Sequence, residues 1–467
     1  QDIYPLAPLQ EGILYHHLSA ERGDPYLLQS LFSFDSQEHV DDFARALQFV
    51  IQRHDILRTA LVWEGLDEPM QVVWREALLV RESFDADPHG SDMAAQLHQR
   101  FDARHHRLDT RQAPMMRLIH AWDEPNQRWL ALLQFHHLVM DHTTLDVVRY
   151  EMQASLLGQE AQLGAAVPYR NYVAQARLGV SQDEHEVFFS DMLGDVDEPT
   201  LPFGLQQVHG DGHGIEEDQL AVGADLSRRL RVQARQLGVS AASLVHLAWA
   251  RLLGQVSGRD DVVFGTVLLG RMQGGDGADR ALGMFINTLP LRVTLGSRSV
   301  CESVREVHDK LTALLGHEHA SLALAQRCSG VVAPAPLFSA LLNYRHSSVA
   351  VTDEALTAWN GMQSLGDEER TNYPLTLNVD DQGEDFLLTV QTVPLIDAAR
   401  ICAYMQQTLN SLVDALEQAP QTPLHAISIL PRKERTQLLE QWNEPGQHYA
   451  NDTPIHQQFE ARAAARP

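Results

Sequence analysis

The sequence predicts a mixed α/β fold built from two units of similar make-up. Single hydrophobic cores stop growing at about 250 to 300 residues, so a chain of 467 residues is expected to divide. Helical and extended patterns alternate in both halves, which is typical of helices packed on sheets. A polar, glycine-bearing stretch at 179–218 shows no sustained periodicity, and we place the boundary between the units there.

The first half leads from a buried strand into a helix. A helix packed on a sheet is predicted from apolar residues that share one face, namely Phe43, Leu47, Val50 and Ile51. Extended runs follow at 71–74 and 129–135, and the second is apolar nearly throughout, as expected of a strand buried on both faces. Thr143 with Asp146 resembles a capping box that begins the next helix. Residues 136–142 are therefore predicted to form a strand-to-helix turn, where catalytic side chains can project from a rigid frame.

The second half repeats this alternation. Helices are predicted at 240–255, 302–315 and 397–417, and strands at 261–269, 338–344 and 386–393. Similar make-up of the halves suggests an internal structural duplication, although no direct sequence repeat is visible. A loop signal at 209–214 marks the boundary, and the chain turns polar and proline-bearing from 431. The expected units are 1–178, 179–430 and a linker at 431–467.

Composition excludes several classes of function. The chain has 36 basic and 62 acidic residues, a net charge of -26, so nucleic acid would be repelled. No run reaches the roughly 18 to 20 apolar residues that span a bilayer, and no signal peptide precedes the first element, so we expect no membrane partner and a cytoplasmic location. Cys301, Cys328 and Cys402 form neither a disulfide framework nor a metal-ligand cluster. The start at Gln1 and the end within a helical pattern suggest a piece of a longer protein.

Among the adjacent histidine pairs, His136–His137 carries the strongest indication of chemistry. It ends the apolar run, Asp141 follows four residues after His137, and a helix begins directly afterwards. One imidazole could act as a base or a positioner while a buried carboxylate fixes the turn. The alternative is a pair of structural histidines. The pair His105–His106 lies in a charged run and is interpreted as solvated.

A zinc site is a further alternative, because His136, His137, Asp141 and His142 are all competent ligands. Neighbouring side chains on a strand point to opposite faces, however, so both histidines of a pair rarely reach one ion. No metal is predicted.

Five ordered strings give the chain a resemblance to the condensation domains of nonribosomal peptide synthetases. They are YPLAPLQEG at 4–12, RHDILRT at 53–59, HHLVMDH at 136–142, VPYRNY at 167–172 and LGMFINTLPLR at 282–292. Asp55 replaces the glutamate of the family's RHExLRT motif, and His142 replaces the glycine of HHxxxDG. No single string would identify the family, but five strings in this order over about 290 residues are specific to it.

One further string suggests a branch of the family. Residues 16–24, HHLSAERGD, fit the HH(I/L)xxxxGD pattern of dual domains that epimerise a donor residue and then condense it. The alternative is an ordinary helix end capped by Gly23. The resemblance adds His16 and His17 to the candidate site, where they either take part in epimerisation or position the donor; we favour positioning.

The resemblance implies two chloramphenicol-acetyltransferase-like lobes that form a V-shaped pseudo-dimer with a tunnel at their interface. Donor and acceptor peptidyl carrier domains would dock at its mouths and deliver 4'-phosphopantetheine-tethered substrates to His137, with no cofactor bound. Asp141 would be structural, with Arg271 as its partner. Residues 438–443 and 455–460 resemble the entry to an adenylation domain, and the piece itself is expected to be a monomer.

Three alternatives remain. An epimerisation domain without condensing activity shares the fold and the histidine motif, and an inactive carrier-binding module would share the lobes. A discrete coenzyme A acyltransferase is disfavoured by the adenylation-like tail. The imidazole of His142 would narrow the path of the acceptor substrate or supply another hydrogen-bond donor.

Overall fold

The computed structural model describes residues 1–19, 22–85, 87, 90, 92–206, 208, 214–271, 280–346, 353–368, 371, 373–444 and 453–466. Its fold is mixed α/β, as predicted. The strands are β1 Asp2–Pro5, β2 Leu27–Phe34, β3 Thr59–Val62, β4 Met70–Val73, β5 Val80–Ser83, β6 Met116–Asp123, β7 Arg128–His136, β8 Glu216–Ala221, β9 Asp261–Leu268, β10 Asn287–Thr294, β11 Ala340–His346, β12 Met362–Glu368, β13 Leu375–Asp381 and β14 Phe386–Thr392.

The α-helices alternate with these strands in both halves. They are α1 Pro8–Ser19, α2 Gln37–Arg53, α3 Met93–Arg100, α4 His142–Leu156, α5 Tyr169–Leu178, α6 Gln182–Leu193, α7 Ala224–Leu237, α8 Ala241–Ser257, α9 Val300–Leu315, α10 Leu322–Arg327, α11 Asp353–Ala358, α12 Ala398–Gln418, α13 Arg432–Leu439 and α14 Ile455–Ala465. The helices and strands expected from periodicity in both halves are all present within a few residues of their predicted ends.

The sheets link the two halves of the chain. Five strands form a sheet in the order β12-β2-β7-β6-β5, six form one in the order β10-β9-β11-β13-β14-β8, and β1-β4-β3 form a small third sheet. Strand β12, from the second half, pairs antiparallel with β2 of the first half. The core of the first half also includes Leu282, Met284 and Phe285. The halves are therefore interlocked, and the boundaries at 178 and 430 stay predictions.

Strand β7, which leads into the turn at 136–142, is buried on both faces. Its alternate residues Leu130 and Leu132 join a cluster with Leu97 of α3. The residues that alternate with these, namely Ala131, Leu133 and Phe135, join the larger core on the opposite face. Burial of both faces is what the nearly continuous apolar run predicted.

Two local predictions are wrong. The aperiodic stretch at 179–218 contains helix α6, which begins with a capping box between Ser181 and Glu184 and buries the narrow stripe His185, Phe189 and Leu193. One buried residue per helical turn is too weak a pattern to be detected as helical periodicity in the sequence. Helix α4 is capped by Asp141 rather than by Thr143. The loop signal at 209–213 lies outside the described residues.

The segment after 431 has little contact with the rest of the chain. Helices α13 and α14 have no buried residues, although Glu434 of α13 accepts a hydrogen bond of 2.8 Å from the Tyr404 hydroxyl. In the part of the chain that the structure describes, no individual helix has both the length and the apolar composition to cross a bilayer, whereas α7 and α8, bent by 108° relative to each other, meet those criteria only as a pair.

Candidate active site

His137 lies at the turn between β7 and α4 and lines a cavity of about 1020 Å³. Its backbone N–H donates to the Tyr26 carbonyl at 2.8 Å, which holds the turn against the neighbouring strand. Its ring Nδ1 lies 2.8 Å from the Met140 carbonyl oxygen. A carbonyl can only accept, so Nδ1 carries the proton and Nε2 of the neutral ring presents a lone pair. This is the tautomer that a general base requires.

The cavity is lined by both halves of the chain. From the first half come His16 of α1 and His142 at the start of α4, together with His137. From the second half come Asn287 and other residues of the six-stranded sheet. The structure thus brings three of the histidines singled out in the sequence to one cavity. The His142 imidazole occupies wall space that a glycine would leave open.

His136 points to the opposite side of the strand and is completely buried. Its Nδ1 accepts the Leu138 N–H at 3.1 Å, so Nε2 carries the proton and donates to Oδ2 of Asp24 at 2.9 Å. Burial lowers the pKa of His136, which keeps the ring neutral. The structure does not bring His136 to the cavity with His137, and both of its ring nitrogens are occupied.

Asp24 is a buried centre that sequence reasoning did not assign to the site. Its Oδ2 accepts hydrogen bonds from Nδ1 of His17 at 2.5 Å and from His136 at 2.9 Å, and its Oδ1 accepts the Tyr26 N–H at 2.9 Å. Burial alone would raise the pKa of Asp24, but the hydrogen bonds from His136 and His17 prevail and hold that pKa well below its usual range. The signal was present, since Asp24 ends the string at 16–24.

Gly23 allows the chain to present Asp24 in this position. Its φ is +67°, and a Cβ there would lie 2.3 Å from the carbonyl oxygen of Arg104. The neighbouring Asp24 N–H donates to the Ala103 carbonyl at 2.8 Å. Helix α1 is described as far as Ser19, and residues 20 and 21 lie outside the described residues, so the role of Gly23 as the cap of that helix stays a prediction. Both the left-handed backbone and the close approach require glycine here.

His17, Asp24 and His136 are also the group that could hold a metal ion among the described residues, since one ligand atom of each lies within 4.8 Å of the others. The Leu138 N–H donates to Nδ1 of His136. A neutral imidazole bound to a metal through Nε2 would need a proton on Nδ1, where that N–H already points. The hydrogen bonds therefore fit a histidine–aspartate–histidine triad better than a metal centre. The zinc alternative of His136, His137, Asp141 and His142 is not assembled, because the two histidines of the pair lie on opposite sides of the strand.

Asp141 joins the turn to the second half of the chain. Its Oδ1 accepts the Thr144 N–H at 2.7 Å as the cap of α4, and its Oδ2 accepts the Phe285 N–H at 3.0 Å. Nη2 of Arg271 lies 3.5 Å from Oδ1, while Nη1 of Arg271 donates to the Ala281 carbonyl at 2.8 Å. Asp141 is 1% exposed. Its contacts are structural, and none is made to the cavity.

Two tyrosines of α5 hold the same segment of the second half. The Tyr169 hydroxyl donates to the Met284 carbonyl at 2.5 Å, and the Tyr172 hydroxyl donates to the Phe285 carbonyl at 3.1 Å. A Cβ at Gly283 would lie 2.2 Å from the Tyr169 ring. The strings at 167–172 and 282–292 therefore meet in space, a contact that no local pattern predicts.

The pair His105–His106 is not part of the site. His105 is exposed, and Nε2 of His106 lies 2.9 Å from Nη1 of Arg100. Neither histidine lines the cavity.

Comparisons with known proteins cover most of the chain or all of it. A family model described as Condensation domain matches residues 1–439. Malpinin synthetase and malpibaldin synthetase of Mortierella alpina are 49% and 48% identical to the chain over its full length. A component of the linear gramicidin synthase of Brevibacillus parabrevis is 29% identical over the full length. The chain spans only 6% to 8% of the length of these three relatives.

Solved structures share the fold. The first condensation domain of the calcium-dependent antibiotic synthetase, in complex with a substrate analogue, matches with a TM-score of 0.70 and 16% identity over 92% of this chain and 100% of that one. The condensation domain of the Monacolin K polyketide synthase MokA matches with a TM-score of 0.69 and 17% identity over 91% of this chain and 99% of that one. At these identities the likeness establishes the fold.

Proposed function

The chain belongs to the condensation-domain family, and from this premise we propose that it forms a peptide bond between a donor peptidyl or aminoacyl thioester and an acceptor aminoacyl thioester. The observation that carries the proposal is the position of His137 on the wall of a cavity of about 1020 Å³ that both halves line. The lone pair on Nε2, fixed by the Met140 carbonyl, supports a role in proton transfer.

In the proposed step, the acceptor amine attacks the carbonyl carbon of the donor thioester. The C–N bond forms and the C–S bond breaks. His137 Nε2 accepts the proton that the amine loses and returns it to the departing pantetheine sulfur. General-base catalysis of this kind contributes about 10² to 10⁴ in rate. Holding both substrates in one cavity can contribute about 7 to 11 kcal/mol, which exceeds the contribution of general-base catalysis, so we propose that His137 acts as a positioner first and as a base second.

We further propose that the chain epimerises the donor residue from L to D before coupling. This reaction removes the α-proton and returns a proton to the opposite face of the carbanion. His16 and His137 both line the cavity, which supports a role for each beside the donor. His17 is 5% exposed and bonded to Asp24, which supports positioning of α1, and hence of His16. An epimerisation-only domain is the alternative that the experiment below separates.

The partners follow from the same proposal. Carrier domains would deliver both substrates on 4'-phosphopantetheine arms, with an adenylation domain adjoining the tail. Three exposed apolar side chains support a partner for the tail, namely Trp442 at 69%, Ile455 at 85% and Phe459 at 74% exposure. A cytoplasmic location and a monomeric state remain parts of the proposal.

Chiral analysis of the product tests both activities. The chain is incubated with a donor carrier loaded with an L-aminoacyl group and a loaded acceptor carrier, and the dipeptide is released and separated by chirality. A D-L dipeptide supports both steps, whereas an L-L dipeptide retains condensation and rejects epimerisation. A D-configured donor with no dipeptide favours the epimerisation-only alternative. If the native chain forms no dipeptide and inverts no donor, and so behaves like the His137→Ala variant, an inactive carrier-binding module is favoured.

A further inference from the structure

One face of the six-stranded sheet is polar and lines the cavity. Strand β13 shows the pattern most clearly, because Leu377 and Val379 pack into the core of the second half. The alternate residues Thr376, Asn378 and Asp380 line the cavity. A sheet face that only separated two cores would be apolar, so this alternation marks a face that contacts something polar.

The strand register aligns these side chains into rows. One row crosses the sheet with a residue from each strand, and consists of Thr288, Val267, Asn343, Asn378, Thr389 and Gln219. All six line the cavity. In the adjoining row, Thr376 pairs with Gln391, and Gln391 pairs with Glu217. Amide and hydroxyl groups therefore predominate in these two rows, although Val267 and Leu341, which pairs with Thr376, are apolar.

The arginine on this wall has an acidic partner within the wall, and the glutamate is bonded to a neutral amide. Nε of Arg345 donates to Oδ1 of Asp380 at 2.8 Å. Nε2 of Gln391 donates to Oε2 of Glu217 at 2.9 Å. Because the arginine already has its counterion and most of the remaining polar groups are neutral, the wall matches a neutral polar ligand better than an anionic one.

Two asparagines at the centre of the row form a matched pair. Nδ2 of Asn343 donates to Oδ1 of Asn378 at 3.1 Å. The pair keeps one carbonyl, on Asn343, and one amide NH₂, on Asn378, that point away from this bond. If both side-chain amides are flipped, Asn378 becomes the donor and Asn343 the acceptor, and one carbonyl and one NH₂ still point away from the bond. One acceptor beside one donor is the complement of a peptide group, which offers one N–H and one C=O.

The opposite side of the cavity combines apolar residues with the histidines described above. Ile13, Leu28 and Phe135 of the first half line it. A peptide satisfies both surfaces, since its side chains can pack on these three apolar residues while its backbone faces the amides. A plain acyl chain would displace water from the remaining carbonyl and NH₂ of the two asparagines without replacing its hydrogen bonds, which is unfavourable.

We propose that the Asn343–Asn378 pair binds an internal peptide group of the donor, so that the chain selects peptidyl thioesters over single aminoacyl or plain acyl thioesters. This inference rests on the proposed condensing activity and names its substrate class. The pair acts by binding and takes no part in proton transfer.

An ester replacement in the donor tests the inference. Two donor carriers are compared, one loaded with a dipeptidyl group and one with its depsipeptide analogue, in which an ester oxygen replaces the internal N–H. For the native chain, kcat/KM for coupling should fall about tenfold with the analogue, since one buried acceptor loses its donor. The double variant Asn343→Val and Asn378→Val should couple both donors within about twofold of each other. If it folds poorly, as judged by thermal unfolding, the corresponding double leucine variant is used.

Asn410→Leu is the matched control, because Asn410 lies on α12, on the other side of the sheet, where it accepts from Arg229 at 3.4 Å. This variant should keep the tenfold preference. Equal preference in the native chain and in the double variant, or no preference in the native chain, would overturn the inference while leaving the condensing activity intact. If the native chain couples neither donor, nor an aminoacyl donor, the proposed function itself fails and the inference fails with it.

Discussion

Nη2 of Arg271 lies 3.5 Å from Oδ1 of Asp141, so an arginine of the second half and an aspartate of the first form a buried ion pair. The pair sits behind the turn at 136–142 rather than in the cavity. Asp141 also caps α4 and accepts the Phe285 N–H. One carboxylate thus fixes the start of a helix, a segment of the other half and the turn that carries His137.

Replacing Asp141 should therefore cost stability. Asp141→Ala removes the helix cap, leaves the Phe285 N–H without its acceptor and takes away the carboxylate beside the buried guanidinium of Arg271. Removal of one partner of a buried pair typically lowers the free energy of unfolding by about 3 to 5 kcal/mol. Asp141→Asn keeps one carbonyl as the cap and should cost about half as much. Urea unfolding measures both, and a loss below about 1 kcal/mol for Asp141→Ala would contradict the structural role.

Acid should destabilise the protein through His246. This buried ring donates from Nδ1 to the Ala242 carbonyl at 2.7 Å, and its Nε2 lies 2.8 Å from the Thr266 hydroxyl. Burial lowers the pKa of His246 to about 4. The unfolded chain takes up a proton at this histidine below about pH 6.5, whereas the folded chain does not until the pH nears 4. Unfolding therefore binds a proton in this interval, and stability falls as the pH falls.

The variant His246→Gln isolates this contribution. Its side chain can still accept from Thr266 but cannot titrate. Between pH 6.5 and 4.5, the native chain should lose about 1 kcal/mol more per pH unit than the variant. Other buried histidines, such as His136, titrate in both proteins and cancel in the difference. Parallel curves of unfolding free energy against pH would contradict the prediction.

What the sequence could predict here depended on how local each signal was. The strand at 129–135 and the helix after it follow from periodicity within a few residues. The pairing of Asp141 with Arg271 comes from the family resemblance, since their contact bridges 130 positions that no local pattern relates. Asp24 belongs to a recognisable string, but its place at the centre of a triad depends on the approach of His136, which is a tertiary contact. Helix α6 escapes prediction because only three of its residues are buried.

Adjacent histidines should respond differently to substitution. His137→Ala removes the side chain that lines the cavity, and the coupling rate should fall about 10² to 10⁴-fold with little change in stability. His136→Ala leaves the Leu138 N–H without its acceptor and removes one donor from Asp24, so the free energy of unfolding should fall by about 2 to 4 kcal/mol. Single-turnover coupling and urea unfolding measured on both variants check the distinction. Equal rate losses in two stably folded variants would contradict it.

His17 and Asp24 should act as one unit in epimerisation. They are joined by a hydrogen bond of 2.5 Å between Nδ1 of His17 and Oδ2 of Asp24. His17 acts on the cavity through α1, which carries His16. His17→Ala and Asp24→Ala should each lower the rate of inversion of an L-loaded donor about tenfold, and the double variant should lose little more, because either change already removes the bond. Coupling of a donor supplied in the D form should change less than threefold.

His16→Ala provides the contrast, because this side chain lines the cavity. It should lower inversion at least as much as His17→Ala while leaving the unfolding midpoint nearly unchanged. Rescue offers a second readout: His17→Gln retains a polar hydrogen-bonding group towards Asp24 and should restore part of the inversion rate if positioning is its role. Additive losses in the double variant, or equal losses in inversion and in coupling of the D-configured donor, would show that the two residues do not act on epimerisation as a unit.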